Sequence, residues 1–423
     1  MVAVDVAIIA DDLTGAADSG VQLVRSGYRT AVVFHGASLP PTENLDAVAV
    51  DTDSRSLPAG FAAKRVLESG RAVREARVAY KKIDSTLRGP IGAELAAALG
   101  VTRREKAVVA PAFPSAGRET RNGVQLVRGE PVHQTGLAHD PHTPVLESHI
   151  PSLLSEAFRS VSTLSVVDIR EGDPVRKALE SADKCVVADA RSDADLEALV
   201  RAVPDPAAVL WAGSAGLTRT FGRVYPGPRA NVSPSLLPPA SGVLAVVGSI
   251  NEVARQQLRC LIREPGVAAV ALDTAALATA SHQQAVDGAT EAARTALLSN
   301  RSAVLYSAAG EEVGSALREN STSKDGISDR VADALAEVVA VVSGEDLFDV
   351  LVLTGGHTAI RVTRGLGAAG ILLEGEIEAG VPIGTLAGPR PYRVVTKAGG
   401  FGSPETLREA FRALTGPRKN RGA

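Results

Sequence analysis

Residues 76–80, Ala76-Arg77-Val78-Ala79-Tyr80, run straight into Lys81-Lys82-Ile83-Asp84-Ser85-Thr86-Leu87-Arg88-Gly89, and a helix-like pattern follows over 91–99. Apolar run, polar turn, helix is one step of an open α/β sheet, a fold that binds ligands at the carboxyl ends of its strands. Two lysines, a carboxylate, two hydroxyls and an arginine crowd this one strand end. Alone, such a knot suits any small anion.

The same step recurs on both sides. Residues 6–10 form a continuous apolar run, as in a strand buried on both faces, and Asp11-Asp12-Leu13-Thr14-Gly15-Ala16-Ala17-Asp18 turns into an amphipathic helix. Strands are expected at 28–34 and 47–50, the latter ending in Asp51-Thr52-Asp53-Ser54-Arg55, and a helix over 59–73. Residues 108–110 lead into Pro111-Ala112-Phe113-Pro114-Ser115-Ala116-Gly117-Arg118. Asp11 or Asp12 singly would be a good helix cap. Four polar strand ends in one half of a chain point instead to a shared crevice. Further on, 125–133 reads as a hairpin around Gly129, and 165–169, 185–188 and 209–211 read as strands. His139, Asp140 and His142 share a loop, but their spacing matches no metal motif, and no metal is expected there.

The chain has 423 residues, which fits two domains better than one. Its net charge of −3 gives no reason to expect nucleic acid or an anionic membrane as partner, and 3% aromatic residues leave little for base stacking. No apolar run reaches the length of a membrane span, and the N-terminus lacks the basic stretch of a signal peptide, so a cytoplasmic protein is expected. Cys185 and Cys260 fall in different halves and read as buried thiols rather than a disulfide. A homodimer is allowed, although no apolar stripe marks its face. Prolines at 226, 228, 234, 238 and 239 mark 226–242 as a linker. The domains are therefore expected at 1–225 and 243–423.

Beyond the linker the alternation restarts, with strands expected at 243–247, 267–272, 303–307, 350–353, 371–373, 385–386 and 392–396. The helix over 328–342 takes Ser328 as its cap. Three strand ends here carry glycine: Gly248-Ser249, Thr354-Gly355-Gly356-His357-Thr358, and Lys397-Ala398-Gly399-Gly400-Phe401-Gly402. Glycine admits close approach of a ligand, and free N–H groups at the following helix start suit phosphate oxygens. None of the three is a Walker A loop or a Gly-x-Gly-x-x-Gly fingerprint. The expected fold is α/β, with two domains, each a mostly parallel sheet flanked by helices, and an active site in the cleft between them. A small hydroxylated anion in the first and a polyphosphate in the second would make a phosphoryl-transfer site.

These stretches, taken in order, resemble the four-carbon acid sugar kinase family of threonate, erythronate and 3-oxo-tetronate kinases. The matching segments are Ala10 with Asp11-Asp12-Leu13-Thr14-Gly15-Ala16, Ser54-Arg55, Lys82 through Gly89, Pro111-Ala112-Phe113-Pro114 with Gly117-Arg118, Gly248-Ser249, Thr354 through Thr358, Leu373-Glu374 through Gly380-Val381-Pro382-Ile383-Gly384, and Lys397 through Gly402. The resemblance implies that Asp12, Arg55, Lys82, Ile83, Asp84 and Ser85 contact the acid sugar. It implies that Ser249, Gly355, Gly356, His357, Thr358, Gly399 and Gly400 contact ATP, with Mg²⁺ accompanying the phosphates. Four positions depart from the family: His357 replaces a common Glu, Gly400 a common Asn, and Asn251 and Ala254 a Ser and a Thr. All four fall at the expected ATP site, so an altered nucleotide preference is one expectation.

The expected reaction is ATP-dependent phosphorylation of the terminal hydroxyl of a four-carbon sugar acid. Arg55, Lys82 and Arg88 would hold the carboxylate, and Asp84 or Asp12 would take the hydroxyl proton. Asp84 is the first choice, fixed by Ser85; its alternative role is a plain ion-pair partner of Lys82 or Arg88. Two other classes share the pattern. One is a small-acid-binding protein without chemistry, which would usually carry an export signal. The other is an NAD-dependent dehydrogenase of sugar acids, which would show a dinucleotide fingerprint.

Overall fold

The computed structural model describes residues 4–38, 44–140, 143–229, 238–249, 251–279, 281–300, 302–308 and 324–416. It separates into two compact units, Met1–Val232 and Ser233–Ala423. Residues 230–237 of the expected linker, His142, and 309–323 lie outside the described residues.

In the first unit the chain runs β1 (Val6–Ala10), α1 (Leu13–Arg25), β2 (Thr30–Val33), β3 (Ala47–Asp51), α2 (Ala59–Gly70), β4 (Val78–Lys82), α3 (Ile91–Val101) and β5 (Lys106–Ala110). A small antiparallel sheet of β6 (Arg118–Arg121), β7 (Val124–Val127) and β8 (Glu130–Pro131) interrupts the alternation. The chain then continues through α4 (Ile150–Leu154), β9 (Val161–Leu164), α5 (Val166–Glu171), α6 (Asp173–Glu180), β10 (Cys185–Ala188), α7 (Asp193–Ala202), β11 (Val209–Gly213) and α8 (Ala215–Val224). The main sheet has the order β2-β3-β1-β4-β11-β5-β10-β9 and is parallel throughout. Every residue of β1, β3, β4 and β11 is buried, as in a sheet covered on both faces.

Register aligns the tips that matter. Ala10 pairs with Asp51 of β3 on one side and with Lys82 of β4 on the other, so the turns after β1, β3 and β4 emerge side by side. One apolar cluster beneath the sheet joins Ile9, Val50, Ala79, Ile83, Leu95 and Leu99.

The second unit runs β12 (Val243–Val247), α9 (Glu252–Ile262), β13 (Ala268–Asp273), α10 (His282–Asn300), β14 (Ser302–Ala308), α11 (Lys324–Ser343), β15 (Val350–Thr354), α12 (Gly356–Gly365), β16 (Gly370–Glu378), β17 (Val381–Ala387), β18 (Arg393–Lys397) and α13 (Thr406–Thr415). Strands β13-β14-β12-β15-β18 are parallel neighbours, and β17 and β16 extend them antiparallel. Val247 pairs with Thr354, and Thr354 with Lys397, so the three glycine turns also emerge at adjacent tips. Among the described residues no helix is long and apolar enough to cross a membrane.

Several sequence expectations are corrected. Residues 165–169 are not a strand: Ser165 caps α5 through a reciprocal bond pair with Asp168, and the strand ends at Leu164. A capping box outweighs the apolar run behind it. Ser328 does not start its helix, because α11 is already helical from Lys324. The strands expected at 371–373 and 385–386 are parts of a long antiparallel hairpin whose Glu-rich half hides the period-2 signal. Both cysteines are free; Cys185 is buried, with its thiol pushed up to about 12 by burial, whereas Cys260 is only half-buried.

Candidate active site

Asp12 caps α1, accepting from the Gly15 N–H at 2.9 Å and from the Thr14 hydroxyl at 2.6 Å. It also faces Arg55, whose guanidinium reaches across two carboxylates at once. Its Nε and Nη2 donate to Asp11 at 2.6 and 3.0 Å, and its Nη1 and Nη2 to Asp12 at 2.9 and 2.6 Å. Burial opposes ionisation of Asp11, but Arg55, Lys81 and Lys82 outweigh it and bring the carboxyl down to about 2. Burial likewise opposes the Arg55 charge, and Asp11 and Asp12 override it, holding the guanidinium well above its usual range. This fork is therefore engaged with the protein's own carboxylates, Asp11 and Asp12.

Lys81 and Lys82 part ways. As adjacent residues of a strand they point to opposite faces. Lys81, fully buried, meets Glu94 of α3 at 2.9 Å and donates to the Lys82 carbonyl at 2.9 Å. Glu94 in turn accepts from Ser54, which bonds Thr52 at 2.6 Å, and Thr52 donates to the Ala10 carbonyl at 2.8 Å. The tips of β1, β3 and β4 are thus tied together beneath the site. Lys82 goes the other way: its Nζ lies 2.9 Å, and Asp12 Oδ1 2.5 Å, from where a Gly15 Cβ would stand, so the glycine leaves room for both at the start of α1. Among the described residues no carboxylate is within ion-pair reach of Lys82 Nζ, although Asp11 and Asp84 feel its field.

Asp84 is held by Arg88, whose Nε and Nη2 donate at 2.7 and 3.3 Å, and by the Thr86 hydroxyl. Thr86 therefore fills the role expected of Ser85. Burial would raise the Asp84 carboxyl, yet Arg88 and Arg55 carry it well below the ordinary carboxylate range. Ser85 is buried, and its carbonyl accepts from Gln125 at 2.8 Å. Ile83 packs its side chain in the apolar cluster and its N–H donates to the Gly213 carbonyl at 2.9 Å, so only its own carbonyl is left to a ligand. Gly89 has φ +91°, and a Cβ there would stand 3.1 Å from the Arg55 carbonyl, so glycine lets the β4 turn lie against the β3 turn.

Arg118, on β6, joins this cluster, as the fourth polar strand end was expected to, although no role was assigned to this residue. Burial lowers its ionisation, Asp84 opposes that, and Arg128 and Arg88 add to it. Its signal is Gly117-Arg118 beyond a strand end; that an antiparallel hairpin carries it back toward Asp84 is not legible locally. Arg88 also lies 3.8 Å from Asp140, so Arg55, Lys82, Arg88 and Arg118 are matched in number by Asp11, Asp12, Asp84 and Asp140. The Lys82 ammonium, outside ion-pair reach of these carboxylates, is left to receive an anion.

In the second unit the glycine turns converge on Ser249. A Cβ on Gly399 would stand 2.5 Å from Ser249 Oγ, and one on Gly355, where φ is +95°, 3.5 Å from Ser249 Cβ. A Cβ on Gly248 would overlap the Thr358 hydroxyl. Asn251 caps α9, and its N–H donates to Ser249 Oγ at 3.3 Å. Gly356 opens α12. His357 points its Nε2 at Asp329 of α11, 2.8 Å away, and Arg361 shares the same oxygen at 3.0 Å. Gly400 lies beside Asn251, where an added Cβ would stand 3.4 Å from Asn251 Nδ2. Among the described residues no group of His, Cys, Asp or Glu could hold a metal ion.

Comparison with known proteins agrees with this division. Residues 6–221 match the family described as "Sugar-binding N-terminal domain", and 244–407 match "Nucleotide-binding C-terminal domain". A D-threonate kinase of Salmonella typhimurium is 33% identical, over 96% of this chain and 97% of its own. A D-threonate kinase of Bordetella bronchiseptica is 36% identical, over 97% of each. Further relatives carry the names D-erythronate kinase and 3-oxo-tetronate kinase. The crystal structure of a Salmonella typhimurium protein superimposes with a TM-score of 0.78 at 23% identity, covering 96% of this chain and 98% of that one, a likeness of fold.

Proposed function

We propose that this chain, which belongs to the four-carbon acid sugar kinase family, transfers the terminal phosphoryl group of ATP to the terminal hydroxyl of a four-carbon sugar acid. The observation that carries this reading is the Lys82 ammonium, which has no ion-pair partner among the described residues and sits over the start of α1 at the aligned tips of β1, β3 and β4. The first unit takes the acid sugar and the second the nucleotide.

Lys82 and Arg88 receive the carboxylate through charge-assisted hydrogen bonds. Asp12, clamped by Arg55, accepts the hydrogen bond of the reacting hydroxyl and takes its proton late in the transfer. Such a transfer needs positioning and charge neutralisation more than a strong base. Asp84, drawn low by Arg88, acts as the anchor of that arginine. In the second unit Ser249 and the turns at Gly355-Gly356 and Gly399-Gly400 fit phosphate oxygens, since close backbone approach is built into each. ATP supplies the phosphoryl group. Mg²⁺ is assigned to its phosphate oxygens and water rather than to a protein cage. A donor of this kind implies a cytoplasmic enzyme.

The test is purified protein with ATP, Mg²⁺ and a panel of threonates, erythronates and 3-oxo-tetronates, following ADP release. Release that depends on one of these acids is the expected result. ADP release indifferent to every acid, or none at all, overturns the proposal.

A further inference from the structure

The last residue of β18, Lys397, is 1% exposed, and the groups its ammonium meets are main-chain carbonyls. Its Nζ donates to Ala398 O at 2.7 Å, Gly399 O at 3.3 Å and Phe401 O at 2.9 Å. An ammonium has three N–H donors, and three carbonyls take them. No cis peptide bond occurs among the described residues. In a trans peptide the C=O and the following N–H point in opposite directions. Three carbonyls drawn toward Nζ therefore turn the N–H groups of Gly399, Gly400 and Gly402 away from it. Among the described residues those three amides have no hydrogen-bond partner. A run of outward N–H groups on a glycine turn is an anion-binding nest.

We propose that Lys397 is a positioning residue for the nucleotide, its ammonium holding the 398–402 turn in the conformation that presents the Gly399, Gly400 and Gly402 N–H groups to a phosphate group. This rests on the second unit being the nucleotide-binding one. Ser249 and Asn251 stand beside the same turn, at Gly399 and Gly400. Gln257 of α9 adds a further clamp, donating to Phe401 O at 2.9 Å and Ser403 O at 2.7 Å.

The device carries its own pH signature. Burial lowers the Lys397 ammonium to about 8, and Glu378 of β16 opposes that shift. Gln257, Thr354 and Ser249, which neighbour the turn, do not titrate. Once deprotonated, the amine has two donors for three carbonyls and no charge to offer a phosphate nearby. A phosphate's second ionisation, at about pH 6, is complete well below this range, so a change above about pH 7.5 belongs to the protein.

The experiment is calorimetric titration of the full chain with ADP between about pH 7 and 9.5, for the native protein, Lys397→Met and Lys397→Arg. If ADP binds the protonated form, its Kd rises about tenfold from pH 7 to pH 9. Lys397→Met is expected to bind at least about tenfold more weakly at pH 7, with a flat profile. Lys397→Arg stays charged throughout, so its profile is flat and its affinity exceeds that of Lys397→Met. A flat native profile, or an alkaline limb that persists in either variant, overturns the proposal while leaving nucleotide binding intact. ADP bound at no pH removes the nucleotide reading itself. Should Lys397→Met fail to fold, the native profile and Lys397→Arg decide.

Discussion

Lys81 and Lys397 are buried lysines at strand tips, one in each unit, and they are held differently. Lys81 of β4 meets a carboxylate, Glu94, inside a network that ties three strand ends together. Lys397 of β18 meets carbonyls. The first is a charge cancelled by a charge. The second is a charge held by neutral dipoles, and burial lowers it to about 8. The difference fits the two proposed tasks. An acid-sugar site built of side chains needs them fixed by opposite charges. A nucleotide site built of backbone needs it fixed through its carbonyls.

The largest test of this contrast is stability. Lys81→Met leaves Glu94 buried and unpaired and is expected to cost about 3–5 kcal/mol in urea unfolding. Lys397→Met removes a charge that has no acid to orphan, and its cost should stay below about 2 kcal/mol. Equal losses would erase the distinction. Next comes turnover. Asp12→Asn is expected to lower kcat by about 10²–10⁴. Asp84→Asn, which frees Arg88, should act chiefly on KM for the acid; a kcat loss matching that of Asp12→Asn would return the base to Asp84.

The pH dependence of unfolding separates the units further. Asp11, at about 2 in the folded chain against 3.8 ordinarily, adds stability that is present above about pH 4 and lost as pH falls through 2. Its contribution is on the order of 2 kcal/mol, with Asp84 acting in the same direction. Lys397 has the opposite sense. Its folded value lies below the unfolded one, so the unfolded chain holds more protons between about pH 8 and 10.5, and this lysine's share of stability rises across that window. Nucleotide affinity should therefore fall at alkaline pH while the contribution of Lys397 to stability does not, a divergence that melting curves and ADP titrations on the same samples would show. The smallest effect belongs to His357. It and Asp329 are each more than a third exposed, and His357→Ala should change stability by less than about 0.5 kcal/mol.

Much of the site was legible because its residues lie just past apolar runs. Asp11-Asp12, Arg55 and Lys82 through Arg88 each follow a strand whose burial is written in consecutive small and branched residues. The glycine turns announced themselves in the same way. What escaped was pairing at long separation. Glu94 looked like an ordinary helix residue, and nothing local marks it as the partner of Lys81. Ser165 and Ser328 show the limit from the other side. One proved a cap where a strand was expected, and the other lies inside a helix it was expected to begin.

By itself, then, the sequence determined the alternation of strands and helices and the chemistry stocked at each tip, because burial on both faces and turn formation are local demands on residue type. Only the tertiary structure decided which charges cancel. It spent the Arg55 fork on Asp11 and Asp12, fixed Asp84 with Arg88 and Thr86, and gave Lys397 carbonyls for partners. The physical reason is that ion pairing and hydrogen bonding depend on distances of a few ångströms between residues far apart in the chain, and those distances exist only once the strands are in register.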